Sequence, residues 1–344
     1  MTGWVSTGRT QQLTVNINPV GQPEPSSAGL CFVSNNARSR LSIPCAFPGF
    51  LMILLLGATG YVGSAFQQLL DQRSVEYHSI SRQEIDYTDR DSLIDLIRES
   101  QPSFLINAAG YTGKPNVDAC ELHKAQCLQG NAVLPGTIRE VCELTGLSWG
   151  HVSSGCIYTG NKEDGSGFTE EDPPNFCFRT DNCSFYSGCK ALGEECLRGA
   201  ENVYVWRLRI PFNYEDSSRN YLSKLMRYQR LLEAENSISH VAEFVDACLQ
   251  CWTKRVPFGT YNVTNTGSVT TRRVTELIHE HLMPEQKFEF FTSEAEFMQV
   301  AARTPRSNCV MDNSKLLATG INMSFVEEAI VNSLKNWQPE LQRA

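Results

Sequence analysis

Regular hydrophobic patterning begins at Met52. Met52 to Leu56 is an unbroken apolar run, the pattern of a parallel strand buried on both faces. A glycine-rich turn follows, Gly57-Ala58-Thr59-Gly60-Tyr61-Val62-Gly63, and then a segment with Val62, Phe66, Leu69 and Leu70 on one helical face. Further along, Val75 to Ile80 predicts a second strand, Asp91 to Glu99 a helix and Ser103 to Asn107 a third strand. Ala119 to Leu144 predicts a helix broken near Pro135, and Ser148 to Ser153 a fourth strand. A long helix is expected from Phe185 and a fifth strand over Val203 to Arg207. Alternation of this kind predicts an α/β fold with a doubly wound parallel sheet. Beyond about residue 208 the alternation weakens, so a smaller C-terminal lobe over the open edge of the sheet is expected. The organisation read from the pattern is one domain over 52–207 and mainly a second lobe over 208–344, with segments of the latter returning to the first.

Residues 1–51 carry no sustained helical or strand period. They are rich in Ser, Thr, Asn, Gln, Pro and Gly, with Arg9, Arg38 and Arg40 against the single acid Glu24. Arginine with few acids resembles a transit peptide, but no amphipathic helix persists and Met52 opens a complete first strand. The simpler expectation is a disordered extension from an upstream start.

Composition narrows the class. The 344 residues are 41% hydrophobic and 20% charged, as in a soluble globular protein. A net charge of −8 and a pI near 5.4 argue against a nucleic-acid surface. Phe50 to Leu56 is far short of the roughly 20 apolar residues that span a bilayer, so no membrane partner is expected. The 13 cysteines follow no repeating frame, which suits a reducing, cytoplasmic compartment better than a disulfide scaffold. Cys248 and Cys251 are read as core-facing thiols on a helix and His279-Glu280-His281 as a solvated helix end, so no metal site is expected.

The spacing GxxGxxG between a buried strand and a helix has a physical reason. The first glycine permits a tight turn, the second lets backbone approach a pyrophosphate, and the third allows close packing of helix on strand. The helix N-terminus then offers free N–H groups to the phosphates. Gly57, Thr59, Gly60, Tyr61, Val62 and Gly63 are therefore expected at a dinucleotide on a Rossmann-like domain. The second strand ends in Ser81-Arg82 rather than in an acid, so a hydroxyl and a guanidinium are available to a 2′-phosphate. NADPH is expected; in the alternative, NADH, Arg82 is merely solvated and Glu84 or Asp86 approaches the adenosine.

Tyr186-Ser187-Gly188-Cys189-Lys190 is a YxxxK. Residues four apart share a helix face, so phenol and ammonium point into the same space. The cation is expected to lower the phenol's pKa and to grip the nicotinamide ribose. Ser154, at the end of the fourth strand, can hold a substrate carbonyl. Glycine loop, strand-end serine and YxxxK occur in the order a hydride-transfer enzyme needs.

On these residues the chain resembles the extended short-chain dehydrogenase/reductases. Within them it is most similar to dTDP-4-dehydrorhamnose reductases and to plant-type UDP-4-keto-6-deoxyglucose 3,5-epimerase/4-reductases, over about residues 52–337. The general motifs are the glycine loop, Asn107-Ala108-Ala109-Gly110, Ser154 and Tyr186/Lys190. More specific are Thr112 to Asp118 with Cys120-Glu121, Ser154-Gly155-Cys156-Ile157, Glu170-Glu171-Asp172, and Ser184 to Ser187. Further matches are Arg207 to Pro211, Arg219 to Lys224, and Pro305-Arg306-Ser307-Asn308. The resemblance implies reduction of the C4 keto group of a nucleotide-linked 4-keto-6-deoxyhexose by NADPH. Tyr186 would donate the proton, Lys190 would tune it and Ser154 would orient the carbonyl, with Asn107, Ala108, Ala109 and Asp86 near the cofactor. It also implies a 3,5-epimerase in which Cys156 and Lys224 are the acid and base. Thr112, Asn116, Asn131, Ser154, Arg209 and Arg306 are implied at the substrate, Arg306 at its pyrophosphate with a structural ion pair as the competing role. A homodimer is compatible with this reading. Two departures stand out: residues 1–51, and Cys177 to Cys183, which looks like an insertion near the substrate entrance. An NAD-dependent nucleotide-sugar 4-epimerase or 4,6-dehydratase, and a non-catalytic NADP-binding regulatory subunit, are the competing readings.

Overall fold

The computed structural model describes residues 52–340; the expected N-terminal extension lies outside the described residues. The chain order opens β1 (Ile53–Leu56), α1 (Tyr61–Gln72), β2 (Tyr77–Ile80), α2 (Arg90–Ser100) and β3 (Phe104–Asn107). It continues through α3 (Ala119–Leu122), α4 (Lys124–Leu128), α5 (Leu134–Thr145), β4 (Trp149–Ser154), α6 (Phe185–Cys196) and β5 (Val203–Leu208). A six-stranded sheet runs in the order Gly259–Asn262, β5, β4, β3, β1, β2, and every neighbouring pair is parallel.

Alternation along β1 explains the layers. Ile53 and Leu55 join Phe66, Phe104, Trp206 and Phe244 in the core on one face. Leu54 and Leu56 join Leu93, Ile97, Leu105, Ile138 and Trp149 on the other. Successive strand side chains point to opposite faces, and helices cover both, so all four positions of β1 are fully buried. Cys248 and Cys251 lie in the first of these cores, on helix α8 (Val241–Thr253).

One detail differs from the pattern-based expectation. The helical stretch from Ala119 breaks at His123 and again passes through a π-helical turn, Gln129–Val133, before α5 begins. Pro135 does not break it, because it sits in the first turn of α5, where its missing N–H costs little. The sixth sheet strand, Gly259–Asn262, comes from the C-terminal half and pairs with β5 in register Gly259↔Tyr204 to Asn262↔Arg207.

The C-terminal part builds a third core from Phe212, Leu222, Leu225, Leu231, Ile278, Val326 and Ile330. Helix α7 (Tyr221–Arg227) belongs to it, capped by Asn220, whose Oδ1 accepts the Leu222 N–H at 3.0 Å. Asn220 also donates to the carbonyls of Asn213 and Glu215 at 2.9 and 2.7 Å, which fixes the segment leading into this helix.

Candidate active site

The carboxyl ends of β1, β3 and β4 converge on one side of the sheet, where ligands of open α/β sheets bind. At β1, Gly57 takes φ +81°, and a Cβ there would stand 2.6 Å from Ala109 Cα. A Cβ on Gly63 would stand 2.8 Å from Ala58 Cα, closer than real side chains come. The Gly60 N–H closes the turn on the Gly57 carbonyl at 3.0 Å. Gly60 is the N-cap of α1 and brings no side chain to its N–H groups. This cradle fits a pyrophosphate: close backbone, no Cβ in the way, and helix donors left to a ligand.

The neighbouring residues divide into those facing the cradle and those building it. Asn107 is fully buried; its Nδ2 lies 3.0 Å from His151 Nδ1, and its Oδ1 accepts the Ala109 N–H at 3.0 Å. It shapes the Ala108-Ala109 turn rather than offering a side chain to a ligand. Tyr61 reaches across to Asn213 Oδ1 at 2.9 Å and ties the start of α1 to the segment before α7. At the end of β2, Ser81 gives its N–H to Glu84 Oε2 at 2.8 Å. Asp86 accepts from the Thr88 N–H and hydroxyl at 3.0 and 2.6 Å, closing its own turn. Arg82 is exposed and lies against Tyr87. Of the residues expected at a 2′-phosphate, Arg82 is therefore the one presented to solvent. Arg82→Glu is expected to weaken NADPH binding about tenfold or more while leaving NADH binding nearly unchanged, since one charge-assisted contact is lost and replaced by repulsion. Titration of both cofactors checks this; equal losses would remove Arg82 from the 2′-phosphate.

At β4, Ser154 caps the one-turn 3₁₀ helix Gly155–Ile157, its Oγ accepting the Cys156 N–H at 3.2 Å. On α6, the Ser184 cap accepts the Ser187 N–H at 3.1 Å, and one turn of helix then separates Tyr186 from Lys190. The Ser154 side chain neighbours the Tyr186 phenol and works to lower its pKa. Lys190 is 6% exposed and donates to the Val152 carbonyl at 3.3 Å. The YxxxK pair on α6 and the strand-end serine of β4 thus lie in one region. The electrostatics differ from the expectation in one respect. Burial, followed by the nearby Cys156, Cys120 and Cys127, pushes the Tyr186 phenol well above its ordinary pKa. Burial lowers the pKa of the neighbouring Lys190 as well. A phenol held protonated is a proton donor, which is the form reduction of a ketone requires.

Cys156 is buried; burial raises its pKa, and the neighbouring Ser154, Ser187, Arg209 and Lys190 oppose the rise. Lys224, on α7, is partly buried. Burial and then Arg219 lower its pKa, which favours the neutral amine, a base. Arg219 donates to Thr112 Oγ1 at 3.1 Å and to the Gly113 carbonyl at 3.2 Å. Arg306 forks onto Asp118 at 2.7 and 2.8 Å, and Asn116 Oδ1 accepts the Asp118 N–H at 2.9 Å. Loop 110–118 is thereby fastened to the C-terminal part, and the Arg306 fork, expected at a pyrophosphate, is closed on Asp118.

Two residues expected at the substrate are turned inward. Asn131 is fully buried in the π-helical turn and pairs with the Tyr111 backbone, Oδ1 from its N–H at 3.2 Å and Nδ2 to its carbonyl at 2.7 Å. A Cβ on Gly110 would touch both Asn131 Oδ1 and Lys190 Nζ, at 3.0 and 3.6 Å, so Asn131 stands beside the lysine. Arg209 is 6% exposed and donates to Asn236 Oδ1 at 2.6 Å and to the Ser307 carbonyl. Its Nε is buried without a partner.

Sequence reasoning gave no role to Glu194, Arg207 or Arg219. Glu194 was findable: it follows Lys190 by four residues, the same helical spacing that joins Tyr186 to Lys190. Arg207 and Arg219 fall in matched motifs, but their partners, Glu194 and loop 110–118, are set by tertiary contact.

The fold and site define a Rossmann-type dinucleotide-binding protein with a serine, tyrosine and lysine assembled for proton and hydride transfer. The chain belongs to the family described as RmlD substrate binding domain, whose model matches residues 51–338. It is 32% identical over 283 residues to a bifunctional dTDP-4-dehydrorhamnose 3,5-epimerase/dTDP-4-dehydrorhamnose reductase of Arabidopsis thaliana, covering 81% of this chain and 90% of that one. It is 34% identical over 287 residues to an Arabidopsis thaliana trifunctional UDP-glucose 4,6-dehydratase/UDP-4-keto-6-deoxy-D-glucose 3,5-epimerase/UDP-4-keto-L-rhamnose-reductase. That match takes in 82% of this chain and spans 41% of the relative's length. Among solved structures, the UDP-rhamnose synthase of Acanthamoeba polyphaga mimivirus superposes with a TM-score of 0.77 at 23% identity, covering 84% of this chain and 100% of that one. No helix among the described residues is long and apolar enough to cross a membrane.

Proposed function

We propose that this chain is an NADPH-dependent reductase of the C4 keto group of a nucleotide-linked 4-keto-6-deoxyhexose, with a 3,5-epimerase activity in the same site, acting in rhamnose formation. The observation that carries the reading is Tyr186 and Lys190, one helical turn apart on α6, brought beside the strand-end Ser154 and the glycine cradle. Bound NADPH would supply the hydride. Gly57, Gly60 and Gly63 would admit its pyrophosphate, Arg82 its 2′-phosphate, and Lys190 its ribose. Ser154 would hold the C4 carbonyl, and Tyr186 would pass its proton to the developing alkoxide, the general-acid step of the reaction. The division into a cofactor domain over 52–207 and a substrate lobe over 208–344 fits these roles, with strand Gly259–Asn262 serving the cofactor domain. The described cysteines are all free, as a reducing cytoplasmic setting allows.

The epimerase half rests on Cys156, next to Ser154, and Lys224, whose burial favours a neutral amine. Removing a proton alpha to the ketone at C3 or C5 needs a base on one side of the ring and an acid on the other. The similarity to a bifunctional relative supports it. The test is NADPH oxidation with nucleotide-linked 4-keto-6-deoxyglucose alone, followed by product analysis. A rhamnose product is expected; a non-epimerised sugar would leave a reductase only, and retained tight NAD without NADPH consumption would turn the reading to a 4-epimerase. Cys156→Ser is expected to cut exchange of substrate-carbon hydrogens with deuterated water by about 10²-fold or more. Reduction of the pre-epimerised ketone should persist. Undiminished exchange would remove Cys156 from proton transfer.

A further inference from the structure

One turn beyond Lys190 on α6, Glu194 carries a carboxylate whose side chain is 11% exposed. It accepts the Ser153 hydroxyl at 2.6 Å and Arg207 through Nη2 at 2.7 Å and Nε at 3.1 Å. Arg207, on β5 and 5% exposed, also donates to the Tyr158 hydroxyl at 3.0 Å, which in turn donates to the Asp172 carbonyl at 2.7 Å. These partners adjoin the working residues in sequence. Ser153 precedes Ser154, Tyr158 follows the turn that carries Cys156, and Glu194 lies on the helix of Tyr186 and Lys190. One carboxylate thus joins the three segments on which the site depends.

The charge around Lys190 makes the same residue stand out. From α6 it faces Glu194 and Cys189; from β4, the Val152 carbonyl and His151; from the turn after β4, Cys156; from α4 and the π-helical turn, Cys127 and Asn131. His151 is kept neutral by burial. Glu194 is the one carboxylate among these described groups, and behind it stands a second buried cation, Arg207. In a poorly solvated interior such charges act strongly on each other. Without Glu194, Lys190 would face no carboxylate and Arg207 would lose its ion pair.

We infer that Glu194 is a positioning residue for the reaction: through Ser153 and Arg207 it holds the strand end that carries Ser154 against the helix of Tyr186 and Lys190, and it supplies the negative charge that Lys190 faces. The inference rests on the reductase reading for the role of Lys190 at the cofactor ribose. The test is NADPH binding, titrated across pH, by the unsubstituted chain and by Glu194→Gln, Glu194→Asp and Arg207→Gln. If cationic Lys190 grips the ribose, binding weakens as pH rises through its titration. Glu194→Gln is expected to bring that weakening to lower pH by about 1 unit or more, and Glu194→Asp to restore most of it. Arg207→Gln removes the competing cation, so the weakening should move the other way, to higher pH. This opposite sign is the decisive feature, because a merely structural role would lower the melting temperature of each variant and leave the pH dependence in place. Should Glu194→Gln fail to fold, Arg207→Gln and Glu194→Asp carry the test. A pH dependence unmoved in the folded variants, or moved the same way by both charge removals, overturns the inference while NADPH binding leaves the reductase reading standing. No NADPH binding by the unsubstituted chain at any pH would overturn both.

Discussion

Tyr186→Phe is expected to lower the turnover of ketone reduction by about 10²–10⁴-fold, the usual contribution of a positioned general acid. The substitution removes one oxygen. The ring still packs against the buried cluster of Cys120, Cys127 and Cys189, Lys190 keeps its contact with Val152, and the glycine cradle is untouched. NADPH affinity and melting temperature should therefore stay close to those of the unsubstituted chain, which separates a chemical loss from a folding loss. Steady-state NADPH oxidation at saturating substrate, together with a thermal melt, makes the comparison. Activity within about tenfold of the unsubstituted chain would mean that another group delivers the proton. Because burial pushes the phenol upward, its acid form persists at neutral and mildly alkaline pH. Any decline of reduction in that range should come from a different group, and Lys190, whose pKa burial lowers, is the one adjacent to it.

The second large effect belongs to the cofactor loop. Gly57→Ala is expected to destabilise the fold by about 1–3 kcal/mol from backbone strain at φ +81°, before the steric conflict is counted. That conflict cannot be relieved by rotating a side chain, since the atoms met are the backbone of Ala108 and Ala109. The loop must shift, and with it the surface offered to a pyrophosphate. NADPH affinity should fall about 10- to 100-fold, the equivalent of about 1.4–2.8 kcal/mol. Chemical denaturation and cofactor titration measure the two losses separately. Unchanged NADPH affinity in a destabilised protein would mean that the pyrophosphate binds away from Gly57.

Glu194 and Arg207 form a buried pair, and such pairs are poor evidence for stability by themselves, because removing two charges from water costs as much as their attraction returns. Its geometry gives a better reason for the pair. The same carboxylate touches the residue before Ser154 and lies a turn from Lys190, so its value is in holding two strands and a helix at fixed register where the chemistry occurs.

By itself the sequence determined the parallel sheet, the glycine cradle and the sharing of one helix face by Tyr186 and Lys190. Each of these is a local matter. Four consecutive apolar residues at Ile53 to Leu56 need a strand covered on both faces, glycine spacing marks where a Cβ cannot fit, and four-residue spacing puts Tyr186 and Lys190 on one helix face. Tertiary structure decided what no local pattern encodes. It placed Gly259–Asn262 on the edge of the sheet, closed Arg306 on Asp118, turned Asn131 and Arg209 inward and gave Ser81 to Glu84. It also reversed the expected direction at Tyr186. The spacing to Lys190 is visible in the sequence, whereas the desolvation that raises the phenol's pKa is a property of everything packed around it. Proximity along the chain fixes which groups can meet; the dielectric and the competing partners at the meeting place arise only once distant segments close over it.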